Sequence, residues 1–229
     1  MKLARALLVL GRVSNLPTVW SNCLCGWLIG VGYSKGPLDW TMLTMLCVGA
    51  TLLYLGGMFL NDACDVEFDR EHRKERPIPS GAISLGAVWK IAIGLLACGV
   101  GLLSVQSNLT ALLTLALFNC IFLYNFIHKK YAWSVALMAM CRVLLVLVAA
   151  SFAFTTKNPE GTFFHHTEGG RAMWAALVLG LYVGGLSCLA RVESRPGAVR
   201  YWPCLLMGTP VLLAVLANPG EFRTKALLA

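Results

Sequence analysis

Asn61-Asp62-Ala63-Cys64-Asp65-Val66-Glu67-Phe68-Asp69, followed at once by Arg70, Arg73, Lys74 and Arg76-Pro77, stands where a long apolar run ends and charge begins. Only 13% of the residues are charged, yet eleven acidic and basic side chains, His72 included, fall between Asp62 and Arg76. Read as a helix continuing past Leu60 by two turns, the stretch places Asp62, Asp65 and Asp69 at i, i+3 and i+7, so three carboxylates leave one face, with Asn61 one turn from Asp65. Anions so close repel one another unless a cation sits among them. Hard oxygen ligands suit Mg2+, which keeps waters and bridges carboxylates to substrate phosphates. Arg73 and Arg76 can grip phosphate oxygens bidentately while Lys74 adds a point charge, and together they would stabilise a departing diphosphate. A charge-balanced, solvated loop with Asp and Asn as helix caps is the plainer alternative, and it does not account for three aligned acids joined to an apolar helix.

Outward from that cluster the chain is a membrane protein. Its 229 residues are 58% hydrophobic with a mean hydropathy of +0.70, against about 45–50% apolar in soluble domains. Seven segments suit a hydrocarbon core of about 30 Å, which takes roughly 17–25 helical residues. They run near Leu16 to Tyr33, Trp40 to Leu60, Val88 to Val105, Leu109 to Ile127, Tyr131 to Phe154, Met173 to Ala190 and Tyr201 to Ala217. Lipid offers no partner to free backbone groups, so helices are the only reading of such runs. The expected fold is all-α, a polytopic transmembrane helical bundle in a single domain over residues 1–229. Between spans five and six, Thr155 to Arg171 reads as a polar loop holding a solvated His165-His166 pair.

The net charge of +8 does not point to nucleic acid, because Lys and Arg sit in short loops instead of on a basic face. With the N-terminus in the cytoplasm, thirteen of the nineteen fall on the cytoplasmic side and five on the other, with Arg142 inside a span. The acid-rich loop is therefore expected on the cytoplasmic face or its organellar equivalent. Eight of the nine cysteines lie in apolar segments and read as reduced, small hydrophobes. Cys64, inside the acidic stretch, lacks a second Cys or His at zinc-ligand spacing. The basic start before Arg12 carries no cleavage-site pattern, so the first span is expected to be retained.

Arg142 lies mid-span, where a charge costs about 2.5–3.5 kcal/mol unless it faces a cavity or a partner. It is expected to point inward, toward the diphosphate or an acid. Asn119 and Asn125 read as helix-to-helix hydrogen bonders. The seven tryptophans mostly lie near span ends, as interfacial anchors do.

The run Asn61, Asp62, Asp65, Asp69, then Arg73, Arg76, Pro77, Ile78, Pro79, Ser80 and Gly81 resembles the first motif of the UbiA-type intramembrane prenyltransferases, N-D-x-x-D-x-x-x-D followed by R-x-x-R-P-[LI]-P-S-G. Arg12-Val13-Ser14-Asn15-Leu16-Pro17 resembles that family's first-helix signature, and Tyr124 with Lys129 and Lys130 its Y-x-x-x-x-K pattern. The resemblance implies Mg2+-dependent transfer of a prenyl group from a prenyl diphosphate to an apolar or aromatic acceptor among membrane lipid. Asn61, Asp62, Asp65 and Asp69 would hold metal, with Asp62, Asp65 and Asp69 catalytic. Asn15, Asn61, Arg73, Lys74, Arg76, Tyr124, Lys129, Lys130 and Arg142 would hold the diphosphate. Two departures stand out. The family's second acidic motif, D-x-x-x-D, is replaced by Ala190-Arg191-Val192-Glu193-Ser194-Arg195, leaving Glu193 alone as a second-metal ligand. Seven spans instead of the usual nine leave either a short branch, similar to the UbiA-like proteins of bacterial and algal Ebo gene clusters, or a shortened chain. The missing acids raise an alternative to catalysis, a binder or carrier of a prenyl diphosphate or polyprenyl lipid.

Overall fold

A computed structural model describes residues 3–32, 38–129, 131, 133–193 and 201–217. Among these the chain forms helices α1 (Leu3–Leu10), α2 (Leu16–Val31), α3 (Trp40–Cys64), α4 (Val66–His72), α5 (Leu85–Ser104), α6 (Asn108–Ile127), α7 (Ser134–Lys157), α8 (Thr167–Glu193) and α9 (Trp202–Ala217), and no strand. A helix stands at each of the seven expected spans. Five of them, α3, α5, α6, α7 and α8, have the length and apolarity to cross a bilayer, while α2 and α9 have 16 residues each.

Side-chain caps set several boundaries. Asp39 Oδ1 accepts the Met42 N–H at 3.0 Å, Ser84 Oγ that of Ala87 at 3.3 Å, and Ser107 Oγ that of Thr110 at 3.1 Å, so α3, α5 and α6 start where an otherwise orphaned donor finds an oxygen. The Thr155–Arg171 loop is shorter than its composition suggests, because α7 runs on to Lys157 and α8 begins at Thr167. The Thr155 and Thr156 hydroxyls are satisfied within the helix, donating back to the Ser151 and Phe152 carbonyls at 2.9 Å. Phe163 closes the turn edge-on against Phe154 at 5.4 Å. His165 and His166 are exposed there, as expected.

Close helix packing uses small residues. α2 lies along α7 through Gly26 and Gly30, where an added Cβ would collide with the backbone of Val146 and Ala150. α3 lies along α5, with Leu96 filling the space beside Gly56 and Leu53 that beside Gly99. Between lipid-embedded helices there is no hydrophobic gradient, so close backbone approach supplies much of the attraction. Trp27 and Phe152 are fully buried and pack ring to ring at 6.4 Å, whereas Trp40, Trp133 and Trp202 are exposed, as anchors would be. All nine cysteines are free.

Candidate functional site

Near the end of α3 the polar residues are buried: Asn61 is 6% exposed, Asp62 4% and, beyond the helix end, Asp69 2%. The helical hydrogen bonds run on, from Asp65 N–H to Asn61 O (3.0 Å) and from Asp69 N–H to Asp65 O (2.9 Å). At Asp65, however, the backbone turns out of α geometry (φ −89°, ψ 1°) and separates α3 from α4. The single carboxylate face expected from spacing is thereby split. Asp62 and Asp69 converge on one guanidinium, Arg76 Nη1 lying 3.0 Å from Asp62 Oδ1 and 3.0 Å from Asp69 Oδ2. Asp65 turns the other way, its Oδ1 2.8 Å from Lys129 Nζ and its Oδ2 3.5 Å from His128 Nε2. Asp69 Oδ1 is buried with no partner.

Arg76 is set by a rigid turn. Ser80 N–H bonds to Arg76 O at 2.9 Å and Ala82 N–H to Pro77 O at 3.0 Å, while Ile78 and Ile83 are buried in the core. Gly81 holds φ at 74°, a left-handed conformation that glycine adopts without strain. Arg12 reaches Asp62 as well, from the N-terminal arm. Its Nη2 donates to Asn61 Oδ1 (3.1 Å) and Asp62 Oδ1 (3.2 Å), and its own carbonyl accepts from Tyr54 Oη at 3.3 Å. Its backbone is left-handed at φ 44°, the bend that joins α1 to the 3-10 turn at Val13–Asn15.

Below this rim lies a cavity of about 160 Å³ among α2, α3, α6 and α7. Arg12, Asn61 and Tyr124 line it with Arg142, and Val19, Ala50, Leu53, Leu117 and Leu145 supply hydrocarbon walls. Arg142 lines the cavity, its Nη2 3.5 Å from Thr18 Oγ1, and among the described residues no acid lies within ion-pairing distance of it. Asn125 lines the cavity too. Its amide donates to the Ile121 carbonyl at 2.9 Å and across to Gly57 of α3 at 3.4 Å, the helix-to-helix bond expected of it. Asn119 instead bonds within its own helix, to Leu115 O at 2.8 Å, because it sits on an exposed face.

The other expected diphosphate ligands are dispersed. Asn15 is exposed, lies outside the cavity lining and makes no side-chain cap to α2. Arg73 and Lys74 are exposed, with Arg73 5.9 Å above the Phe68 ring. Lys130 and the side chain of Glu193 lie outside the described residues. Among the described residues no three His, Cys, Asp or Glu side chains converge as a metal-holding group; Asp62 and Asp69 meet at Arg76 while Asp65 pairs with Lys129.

His128 was not singled out from sequence. It stacks on Tyr124 at 5.1 Å, touches Asp65, and receives at its carbonyl the Ser134 hydroxyl at 3.3 Å. Arg191 Nη2 donates to that hydroxyl at 3.2 Å, which ties the end of α8 to the same rim. The signal lay in Tyr124-x-x-x-His128, one helical turn beside Lys129.

Burial raises the Asp65 carboxyl, but hydrogen bonds and charge from His128 and Lys129 outweigh it and hold the group below its ordinary value. A depressed carboxyl stabilises the fold at pH values above its unfolded value, about 3.9, and the contribution is lost as pH falls through the folded value. The melting-temperature gap between wild type and Asp65→Asn should therefore stay constant from about pH 7 to about pH 5 and close below about pH 4. A gap that persists at low pH would dissociate the carboxylate charge from the effect.

A profile of the UbiA prenyltransferase family matches residues 19–193, beginning just after the Arg12–Pro17 stretch. Digeranylgeranylglyceryl phosphate synthase of Metallosphaera sedula is 35% identical over 108 residues, 47% of this chain and 37% of that one. Mitochondrial 4-hydroxybenzoate polyprenyltransferase of Bos taurus is 36% identical over 84 residues, 32% of this chain and 23% of that one. The matched segments thus span well under two thirds of these relatives' length. A structure solved in work on digeranylgeranylglyceryl phosphate synthase in membranes superposes with a TM-score of 0.72 at 20% identity, covering 99% of this chain and 80% of that chain. That likeness concerns the fold.

Proposed function

The chain belongs to the UbiA prenyltransferase family and is an integral membrane protein, and on that premise we propose that it transfers a prenyl group from a prenyl diphosphate to an apolar or aromatic acceptor within the bilayer. The observation that carries this reading is the join between a hydrocarbon-walled cavity and a rim of buried acids and bases. An isoprenoid tail matches the walls, and its diphosphate matches the rim. We place that rim on the cytoplasmic face, following the charge bias of the loops.

Mg2+ fits the residues present. Asp62 and Asp69 already point at one cation, and Asp69 Oδ1 is a buried, unpartnered oxygen. Asp62 and Asp69, with Asn61 beside them, would hold the ion, which when bound neutralises charge on the phosphate oxygens, while Asp65, turned to Lys129, would have to leave that base to join them. Arg76 and Lys129 stand ready to shift from the acids to the diphosphate, with Arg73 and Lys74 nearer solvent. In the transfer the C1–O bond of the donor breaks with its electron pair leaving on diphosphate. An electron pair of the acceptor forms the new bond to C1, and the acceptor's proton passes to water or a base. The apolar walls keep water from intercepting C1.

Asp69→Asn, which keeps the shape and removes the charge, should lower turnover of prenyl diphosphates with Mg2+ and an acceptor panel by about 10²–10³. Unchanged turnover would remove the proposed site. One observation favours the carrier reading instead: Asp62, Asp65 and Asp69 each already have a basic partner. A carrier would bind an unreactive diphosphate analogue and release no diphosphate with any acceptor.

A further inference from the structure

We propose that the groove between α5 and α6 binds one anionic phospholipid of the rim-side leaflet, with an acyl chain lying in the groove and the phosphate on Lys90. The site lies outside the prenyl-diphosphate site and does not depend on the transferase reading. Trp89, Ile93, Ala97 and Gly101 of α5 and Phe118 and Phe122 of α6 line about 480 Å³, against about 160 Å³ for the cavity beneath the acids. Leu60 of α3 lines the groove too, and no charged side chain does. Length sets the class of occupant. From Trp89 to Gly101 the groove runs about 18 Å along α5, at 1.5 Å per residue, while one leaflet of a core of about 30 Å is about 15 Å deep. α5 starts at Leu85, just after the turn that carries Arg76, so the Trp89 end of the groove opens at the rim. A chain entering there reaches the depth at which the leaflet ends. Ile93 and Ala97 are exposed, and a Cβ at Gly101 meets nothing within 4 Å, so the groove is open toward the bilayer.

Charge sets the headgroup. Lys90 stands one turn above Ile93 and in line with Ala97 and Gly101, at i+7 and i+11, so it crowns the groove face of α5. It is exposed, and among the described residues no carboxylate lies within ion-pairing distance of it. The neighbouring Trp89 indole N–H meets no protein acceptor among the described residues. An ammonium and an indole donor at the mouth of an apolar groove suit the phosphate of a lipid whose chain lies below them. The donor's tail is kept out by α3. Gly57, Met58 and Asn61 line the cavity beneath the acids while Leu60 lines the groove, and the α3–α5 seam is closed where Leu96 fills the space beside Gly56 and Leu53 that beside Gly99. A second copy of the chain packed here about a two-fold axis would set Lys90 against Lys90, and like charges repel.

The test is native mass spectrometry of the full chain released from micelles that hold equal amounts of phosphatidylglycerol and phosphatidylcholine with identical acyl chains. Wild type should keep one lipid and favour phosphatidylglycerol by about fivefold. Lys90→Gln should bring the two lipids to parity, and Lys90→Arg should keep the preference. Ala97→Phe, at an exposed position, should fill the groove and lose both lipids while its melting temperature in lipid-free micelles stays that of wild type. Ile93→Trp, about one turn higher and also exposed, blocks the same groove and gives the same reading should Ala97→Phe fail to fold. A preference that survives Lys90→Gln, or lipid retention undiminished in both groove-filling variants, would overturn the site. So would a dimer that forms in place of the lipid-bound monomer, which would give the groove to a second copy. Release of the lipid on adding an unreactive prenyl diphosphate analogue would give the groove to the donor's tail, and would overturn the site as well.

Discussion

Arg76→Ala is expected to destabilise the protein by about 3–5 kcal/mol and to lower any turnover by at least about a hundredfold. The reason is the sharing of one guanidinium nitrogen by two acids, Asp62 and Asp69, which are 4% and 2% exposed. Removing the cation leaves two buried anions facing each other, with Arg12 still touching only Asp62. The loss therefore exceeds that of an exposed ion pair, worth about 0–1 kcal/mol. Arg76→Lys should recover part of the stability, since a point charge still neutralises the pair, but less of the turnover, since the fork is gone. Mg2+ should raise the melting temperature of Arg76→Ala more than that of wild type, because an ion that binds between bare carboxylates stabilises the folded state by mass action. Equal melting temperatures for Arg76→Ala and wild type would show that the two acids do not depend on this arginine.

The second large effect is expected far from any charge. Gly30→Leu should destabilise the fold by about 3 kcal/mol, because a side chain there meets the backbone of Ala150, which cannot swing away as a flexible side chain can. α2 would be driven off α7. Since Val19 belongs to α2 and Arg142 and Leu145 to α7, the cavity wall would part as well, and activity should fall with stability. Gly101→Leu on α5 is the matched control: a Cβ there meets nothing within 4 Å, so its melting temperature should stay close to wild type. A Gly30→Leu protein as stable as Gly101→Leu would mean that the α2–α7 contact is looser than its geometry implies.

The seven apolar runs were legible because length and hydropathy are local properties, and each of them became a helix. The acid cluster and its Arg76 were legible for the same reason, lying within fifteen residues of one another. What spacing misjudged was the direction of Asp65, since an ideal helix carries it on with Asp62 and Asp69, whereas the bend at Asp65 hands it to Lys129, just past the end of α6. The pairing of Arg12 with Asp62 and of Lys129 with Asp65 depends on how helices far apart in sequence settle against one another, and no local pattern encodes that register. The first-helix signature pointed to Asn15, and the left-handed bend at Arg12 brings the arginine to the acids instead. The Gly26-x-x-x-Gly30 spacing was present in the sequence as a close-packing signal, and only the contact with α7 shows which helix it serves.

The pairing of Asp65 with Lys129 has a consequence for biogenesis. The acid's base lies 64 residues downstream, so a ribosome adding about 5–20 residues per second makes Asp65 wait roughly 3–13 s for its counter-ion to be synthesised. Throughout that interval the nascent hairpin of α2 and α3 carries an unmatched acid at the bilayer surface. Until then the carboxylate has to stay hydrated at the membrane edge, and the pair can close only after Lys129 has emerged behind α6.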